Sequence, residues 1–177
     1  GDEDRPMLVA LTDQLDRLPL AIELAAARLE VLSLEQLKQR LDQQLRLLKS
    51  VDGRGPERHR ALSATIAWSW ELLDDNEQKA LAQASVFRGG FSMDAAEEVL
   101  RTGGEVLDAV HALKRKSLLV MHAGAAPRFS LLETVRAFAA ERLVEVGVGD
   151  VERRHAGYFA RLARGRSDLG ALEDDVD

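Results

Sequence analysis

Four histidines, one run of adjacent cations and one Leu-Pro-Leu corner are the places in this chain where side-chain chemistry is conceivable. His59, His111, His122 and His155 lie far apart and form no HxH, HxxxH or HExxH pair, so the spacing that holds a zinc ion is missing. Cysteine is absent, which removes thiolate ligands, cysteine nucleophiles and disulfides, and fits a reducing compartment. No GxxxxGKS/T loop offers a cradle for a triphosphate, no GxGxxG follows a strand, and no serine stands in a nucleophile elbow. The expectation is a chain with no catalytic residue and no metal site of its own.

The cations are Lys114, Arg115 and Lys116, which close a predicted helix, and Arg128, which opens a predicted strand. They would meet phosphates if that helix lay in a major groove of DNA. A helix C-terminus also attracts cations with no ligand present, because the macrodipole is negative there. Residues 75–147 carry ten acidic and nine basic side chains, a net of −1, whereas DNA affinity rests mainly on neutralising phosphates. The balance favours the helix-end reading, and DNA is not expected as a partner.

The corner lies in RLPLAIELAAARLEVLS, residues 17–33. A proline at the first helical position gives up no hydrogen bond, and its fixed φ is already helical. Pro19 is then simply a helix start. The other reading is a rigid corner of Leu18, Pro19 and Leu20 presented to a ligand, and the stretch alone leaves both open.

The elements that must position these residues are helical. Apolar residues make up 46% of the 177 and charged residues 31%; Leu and Ala dominate over β-branched runs, so the chain reads as mainly α. Met7, Leu8, Leu11, Leu15 and Leu18 recur at helical spacing. From Pro19 to Leu32 the apolar residues nearly encircle the helix, which predicts an element buried on most sides. Ser33 and Gln36 have capping-box spacing and open a helix with a stripe of Leu34, Leu37, Leu41, Leu45 and Leu48. The Gly-, Pro- and charge-rich segment at 51–57 reads as a linker.

Beyond it, Leu62, Ile66, Trp70 and Leu73 predict a helix, and DDNEQ, with its acidic first turn, starts another that runs to Val86 or Phe87. Ser92 is placed to cap a helix over 93–101, and a further helix covers 105–116. LLVMHAGAAPRFSLL, residues 118–132, reads as a β-hairpin whose loop holds Gly124 and Pro127. A helix over 133–146 follows, then a last helix and an acidic tail. Three helices, a hairpin and a closing helix describe a winged helix-turn-helix. No apolar run approaches the ~20 residues that span a bilayer, the N-terminus is acidic and the net charge is −6. A cytoplasmic protein with no membrane contact is the expectation.

Six segments in this order, LPLAIELAAARL, TIAWSWELL, VFRGGFSMDAAEEVL, LKRKSLLV, RFSLLETVRAFAAERL and RRHAGYFARLA, resemble the C-terminal half of the nucleotide-binding module of STAND-class signal-transduction ATPases. The likeness is greatest to bacterial regulators of the AfsR and LuxR-related type, relatives of NB-ARC modules, and covers residues 7 to about 164. The resemblance implies that LPLA matches the family's GLPLA element, with Pro19 against an adenine base and Leu18 and Leu20 beside it. The usual glycine is Arg17 here, which puts bulk and charge near the expected pocket. It also implies that Leu131-Leu132-Glu133 occupies the Met-His-Asp position, where Leu132 has no hydrogen-bond donor for a phosphate.

On this resemblance the chain comprises a helical subdomain (1–50), a linker (51–57), a winged-helix domain (58–147) and the start of a helical-repeat region (148–177). It would bind no cofactor alone, while the parent protein would hold ADP or ATP with magnesium. Its expected partners are an upstream ATPase core, a downstream helical-repeat sensor and further copies of itself on activation. Its expected task is to couple nucleotide state to switching and oligomerisation in a transcriptional regulator, with GRGP at 53–56 as hinge. The alternatives are a DNA-binding winged-helix transcription factor and an interaction adaptor with no nucleotide contact.

Overall fold

The structure is a computed structural model that describes residues 4–51, 57–124, 126–146 and 150–173. The expected hinge at 53–56 lies outside the described residues. Among those described, nine α-helices and three short strands make the chain mainly α, and none of the helices is long and apolar enough to cross a membrane. The backbone divides into two compact units, Gly1–Asp74 with Leu113–Leu118, and Asp75–Ala112 with Leu119–Asp177.

The first unit contains α1 (Arg5–Gln14), α2 (Pro19–Ala26), a 3₁₀ turn (Ala27–Glu30), α3 (Leu34–Val51) and α4 (Glu57–Glu71). Its core gathers Leu11, Leu15, Ala21, Ala25, Leu37, Leu41 and Trp68, with Leu18, Ile22, Leu34 and Leu62 packed against them. The helical spacing of these residues accounts for the faces they share. Ser33 opens α3 as a capping box: its N–H donates to Gln36 Oε1 at 3.0 Å, and the Gln36 N–H donates to Ser33 Oγ at 3.3 Å.

Three expectations for this unit change. α1 stops at Gln14, short of Leu18, and Leu8 is exposed. α2 tightens into the 3₁₀ turn at Ala27 and buries only Ala21, Leu24 and Ala25, while Val31 is 79% exposed; the alanine-rich segment seals one side, not most of them. The face of α4 includes Trp68, 3% exposed, while Trp70 is half-buried. α4 packs on α2 and α3, so the helix expected to open the winged-helix region belongs to the first unit.

The second unit runs α5 (Asp75–Ala84), β1 (Phe91–Ser92), α6 (Met93–Val99), α7 (Val106–Arg115), β2 (Val120–His122), β3 (Arg128–Ser130), α8 (Glu133–Val146) and α9 (Val151–Glu173). The last turn of α7 counts with the first unit. This is the element order of a winged helix-turn-helix. The antiparallel sheet has the order β1-β3-β2, with Phe91 opposite Phe129 and Met121 opposite Phe129 on the other side. β1 is the element that periodicity does not announce, since two residues carry no period.

Local chemistry sets the ends of these elements. Ser92 Oγ accepts from the Ala95 N–H at 3.3 Å and caps α6. Gly90 leads into β1 at φ +80°, and a Cβ there would lie 2.7 Å from the Phe129 carbonyl oxygen, so only glycine lets β1 and β3 approach. α5 packs on α8, and α6 packs on α9.

Candidate functional sites

The Leu18-Pro19-Leu20 corner is built by the way α1 ends. The Asp16 N–H donates to the Asp13 carbonyl and the Arg17 N–H to the Thr12 carbonyl, both at 3.0 Å, which is a Schellman closure. Asp16 and Arg17 stand at φ +53° and +55°, the left-handed region where glycine is at ease. Leu18 is then extended, its carbonyl accepts from the Ile22 N–H at 3.0 Å, and Pro19 takes the first helical position of α2.

The helix-start role of Pro19 is therefore realised, and its ring is also exposed, between half-buried Leu18 and Leu20. Arg17 stands where the resemblance has glycine, and its Nε donates to Asp13 Oδ1 at 2.8 Å. The backbone conformation explains why glycine suits that place. The corner presents an apolar surface of exposed Pro19 between half-buried Leu18 and Leu20.

Lys114, Arg115 and Lys116 end α7 in a second Schellman closure. The Ser117 N–H donates to the Lys114 carbonyl at 3.1 Å and the Leu118 N–H to the Leu113 carbonyl at 3.0 Å, with Ser117 at φ +58°. Arg115 Nη2 meets Glu30 Oε2 at 2.9 Å. The cations thus occupy the negative end of the helix dipole, and one of them already has a carboxylate.

The N-terminal turn of α7 and the residue before it present Glu105, Leu107 and Asp108, all exposed, with Leu107 at 56%. Arg128 belongs to the other unit, in β3, where its Nη2 donates to the Gly90 carbonyl at 3.0 Å. Leu132 is exposed, and its carbonyl accepts from the Arg136 N–H at 2.8 Å as α8 begins. The Arg136 guanidinium holds the Glu133 carboxyl below its usual range by a side-chain hydrogen bond, with a smaller effect from Arg88.

Two constellations in the second unit were not legible from spacing. Gln83 is fully buried; its Nε2 donates to the Arg101 carbonyl at 2.7 Å and the Lys79 carbonyl at 3.0 Å. Its Oε1 accepts from the Arg101 N–H at 2.9 Å and from Arg154 Nη2 at 2.8 Å. Arg154 Nε reaches the Val99 carbonyl at 2.7 Å, and burial lowers the affinity of its guanidinium for a proton. One amide thus ties α5, the segment after α6, and α9 together.

Beside it, Val86, Phe87, Arg88, Gly89, Gly90, Arg128, His155 and Phe159 line a cleft of about 420 Å³. The Phe87 ring is 5.0 Å from His155 and 6.4 Å from Phe159, and His155 and Phe159 are 4.8 Å apart, centroid to centroid. Burial pushes the His155 pKa down. The signal in the sequence was VFRGGF followed, far away, by HAGYF; nothing local joins them. Among the described residues no group of His, Asp and Glu is placed to hold a metal ion.

The chain is 38% identical over 156 residues to a Mycobacterium tuberculosis protein named "Putative HTH-type transcriptional regulator" and to a Mycobacterium bovis protein of the same description. Each match covers 85% of this chain and 18% of the relative. An uncharacterized Mycobacterium tuberculosis protein is 36% identical over 144 residues, which is 77% of this chain and 36% of that protein. The chain thus spans a minor part of the curated relatives it matches. No family model matches it.

Proposed function

We propose that this chain is a regulatory segment of a transcriptional regulator, a helical subdomain and winged helix that pass on a conformational state and do not themselves read bases. The observation that carries this reading is α7. A recognition helix reads bases with its N-terminal residues, and here that end carries Glu105, Leu107 and Asp108 while the cations lie at the other end. Acidic side chains repel the phosphates that supply most of the affinity.

The resemblance to STAND-class ATPases supports a nucleotide as the source of that state, ADP or ATP with magnesium held by an ATPase core elsewhere in the same protein. Bound nucleotide would supply the phosphate charge that differs between two states. From this chain Pro19, with Leu18 and Leu20, would meet the base; no residue here is offered to the phosphates. An element with two discrete packings is what such a switch needs, and assembly into oligomers would follow the open state.

The experiment is Pro19→Ala, made both in this chain and in a full-length protein that carries it. The expected result is weaker ADP binding by the full-length protein, with this chain destabilised by only about 0.4–1 kcal/mol. Unchanged ADP affinity would leave Pro19 as a helix start and count against the nucleotide reading. The second reading, DNA contact through this winged helix, is favoured by the relatives' name. Because the match covers 18% of those relatives, the helix-turn-helix that the name reports need not be this one.

A further inference from the structure

The aromatic cleft of the second unit has the chemistry of a ligand site that neither reading above uses. Its floor is the buried ring of Phe87, and its wall is the His155 and Phe159 rings of α9, inclined to one another by 55° to 70°, so the apolar part is an aromatic corner. Every charged residue that lines it is an arginine. Arg128 is held in place through Nη2 by the Gly90 carbonyl, which leaves the rest of a planar fork of donors for other use.

Arg88 is exposed and forms no ion pair among the described residues. The acid whose field it shares, Glu133, is already committed to Arg136 through two hydrogen bonds. At Gly89 a Cβ would meet nothing within 4 Å, so the mouth of the cleft is open on that side. A volume of about 420 Å³ is in the range of small-molecule pockets, which pair apolar walls with a few polar groups. In a chain of net charge −6, two arginines without a lining carboxylate are a local reversal of sign.

We infer that this cleft binds a small planar organic anion, an aromatic or conjugated carboxylate, with its ring packed into the aromatic corner against Phe159 and His155 and its carboxylate toward Arg88 and Arg128. Aromatic packing and charge-assisted hydrogen bonding both act in a site partly removed from water. Two of the three rings project from α9, so occupancy would bear on how firmly α9 is held to its own unit.

The test is a titration of the whole chain with 2-naphthoate, read by the His155 ring signals in NMR, beside 1-naphthylmethylamine and sodium sulfate. Expected is a saturable shift with naphthoate and none with the cation or with sulfate. Arg88→Gln and Phe159→Leu, both at exposed positions, should each weaken binding about 3- to 10-fold, as the loss of one charged hydrogen bond or one ring contact implies. Thermal melting checks that both variants fold. A cation that shifts His155 equally, sulfate that reproduces the shift, or naphthoate binding indifferent to both substitutions would each overturn the assignment, as would the lack of any saturable shift.

Discussion

Two buried hydroxyls of the first unit, those of Thr65 and Ser69, bond to near neighbours, whereas the buried amide of Gln83 in the second unit also bonds across the chain. In α4 the Thr65 hydroxyl donates to the Ala61 carbonyl and the Ser69 hydroxyl to the Thr65 carbonyl, each four residues back. In the second unit Gln83 bonds to Arg101 and Arg154, 18 and 71 residues away, and Arg154 bonds to Val99, 55 residues away. Local bonds order little chain and leave the apolar core to decide packing. Long-range bonds order much chain, and a half-satisfied set would cost more than none.

This contrast can be broken by removing the residue on which each unit rests. Trp68→Ala should be the largest effect, about 3–5 kcal/mol, because a nearly sealed aromatic side chain leaves a cavity. Both tryptophans, Trp68 and Trp70, lie in the first unit, so emission from Trp70 in that variant reports its loss. Gln83→Leu should follow at about 2–3 kcal/mol, since it strands the Arg101 backbone groups and one guanidinium contact. Hydrogen exchange should rise along α9 while tryptophan emission stays as in the parent chain.

The same contrast explains what the sequence made legible. The Ser33–Gln36 capping box, the Ser92 cap, the Pro19 helix start and the span of α8 were all readable, because each depends on residues within a turn or two. β1 was not readable, since Phe91 and Ser92 become a strand only through β3, nearly 40 residues on. The end of α2 departs from expectation because alanine propensity says continue, while the chain tightens into a 3₁₀ turn at Ala27. The basic run was legible as a helix end, but not the partner of Arg115, which is 85 residues away. The aromatic cleft was invisible for the same reason.

A smaller effect sharpens the account of the second unit through pH. Burial lowers the His155 pKa below 6.5 in the folded chain, so the unfolded chain binds the proton more readily. The stability it contributes is complete above about pH 6.5 and is lost as pH falls through the folded value. Melting temperatures across pH 7.5 to 4.5 should therefore fall, and His155→Phe should flatten the part of that slope near the His155 titration. A slope unchanged by the substitution would remove His155 from the explanation.

Arg17→Gly should give the smallest effect and the opposite sign. Relief of a left-handed backbone is worth about 1–2 kcal/mol, offset by the entropy of glycine in the unfolded chain and by loss of an exposed ion pair with Asp13. A net stabilisation of a few tenths to about 1 kcal/mol is expected in denaturant melts. Loss of stability would show that the Arg17 contact with Asp13 outweighs the strain.

The most direct test of the central claim, that this winged helix does not read bases, is a salt titration of duplex DNA binding by the whole chain. Random-sequence and selected duplexes would be compared, with and without Lys114→Ala, Arg115→Ala and Lys116→Ala together. The account predicts weak binding, no preference between duplexes and a shallow dependence of log K on log salt, because few phosphates are neutralised. Tight binding to a selected sequence, with a steep salt slope that the triple substitution abolishes, would contradict it and make this module the DNA reader.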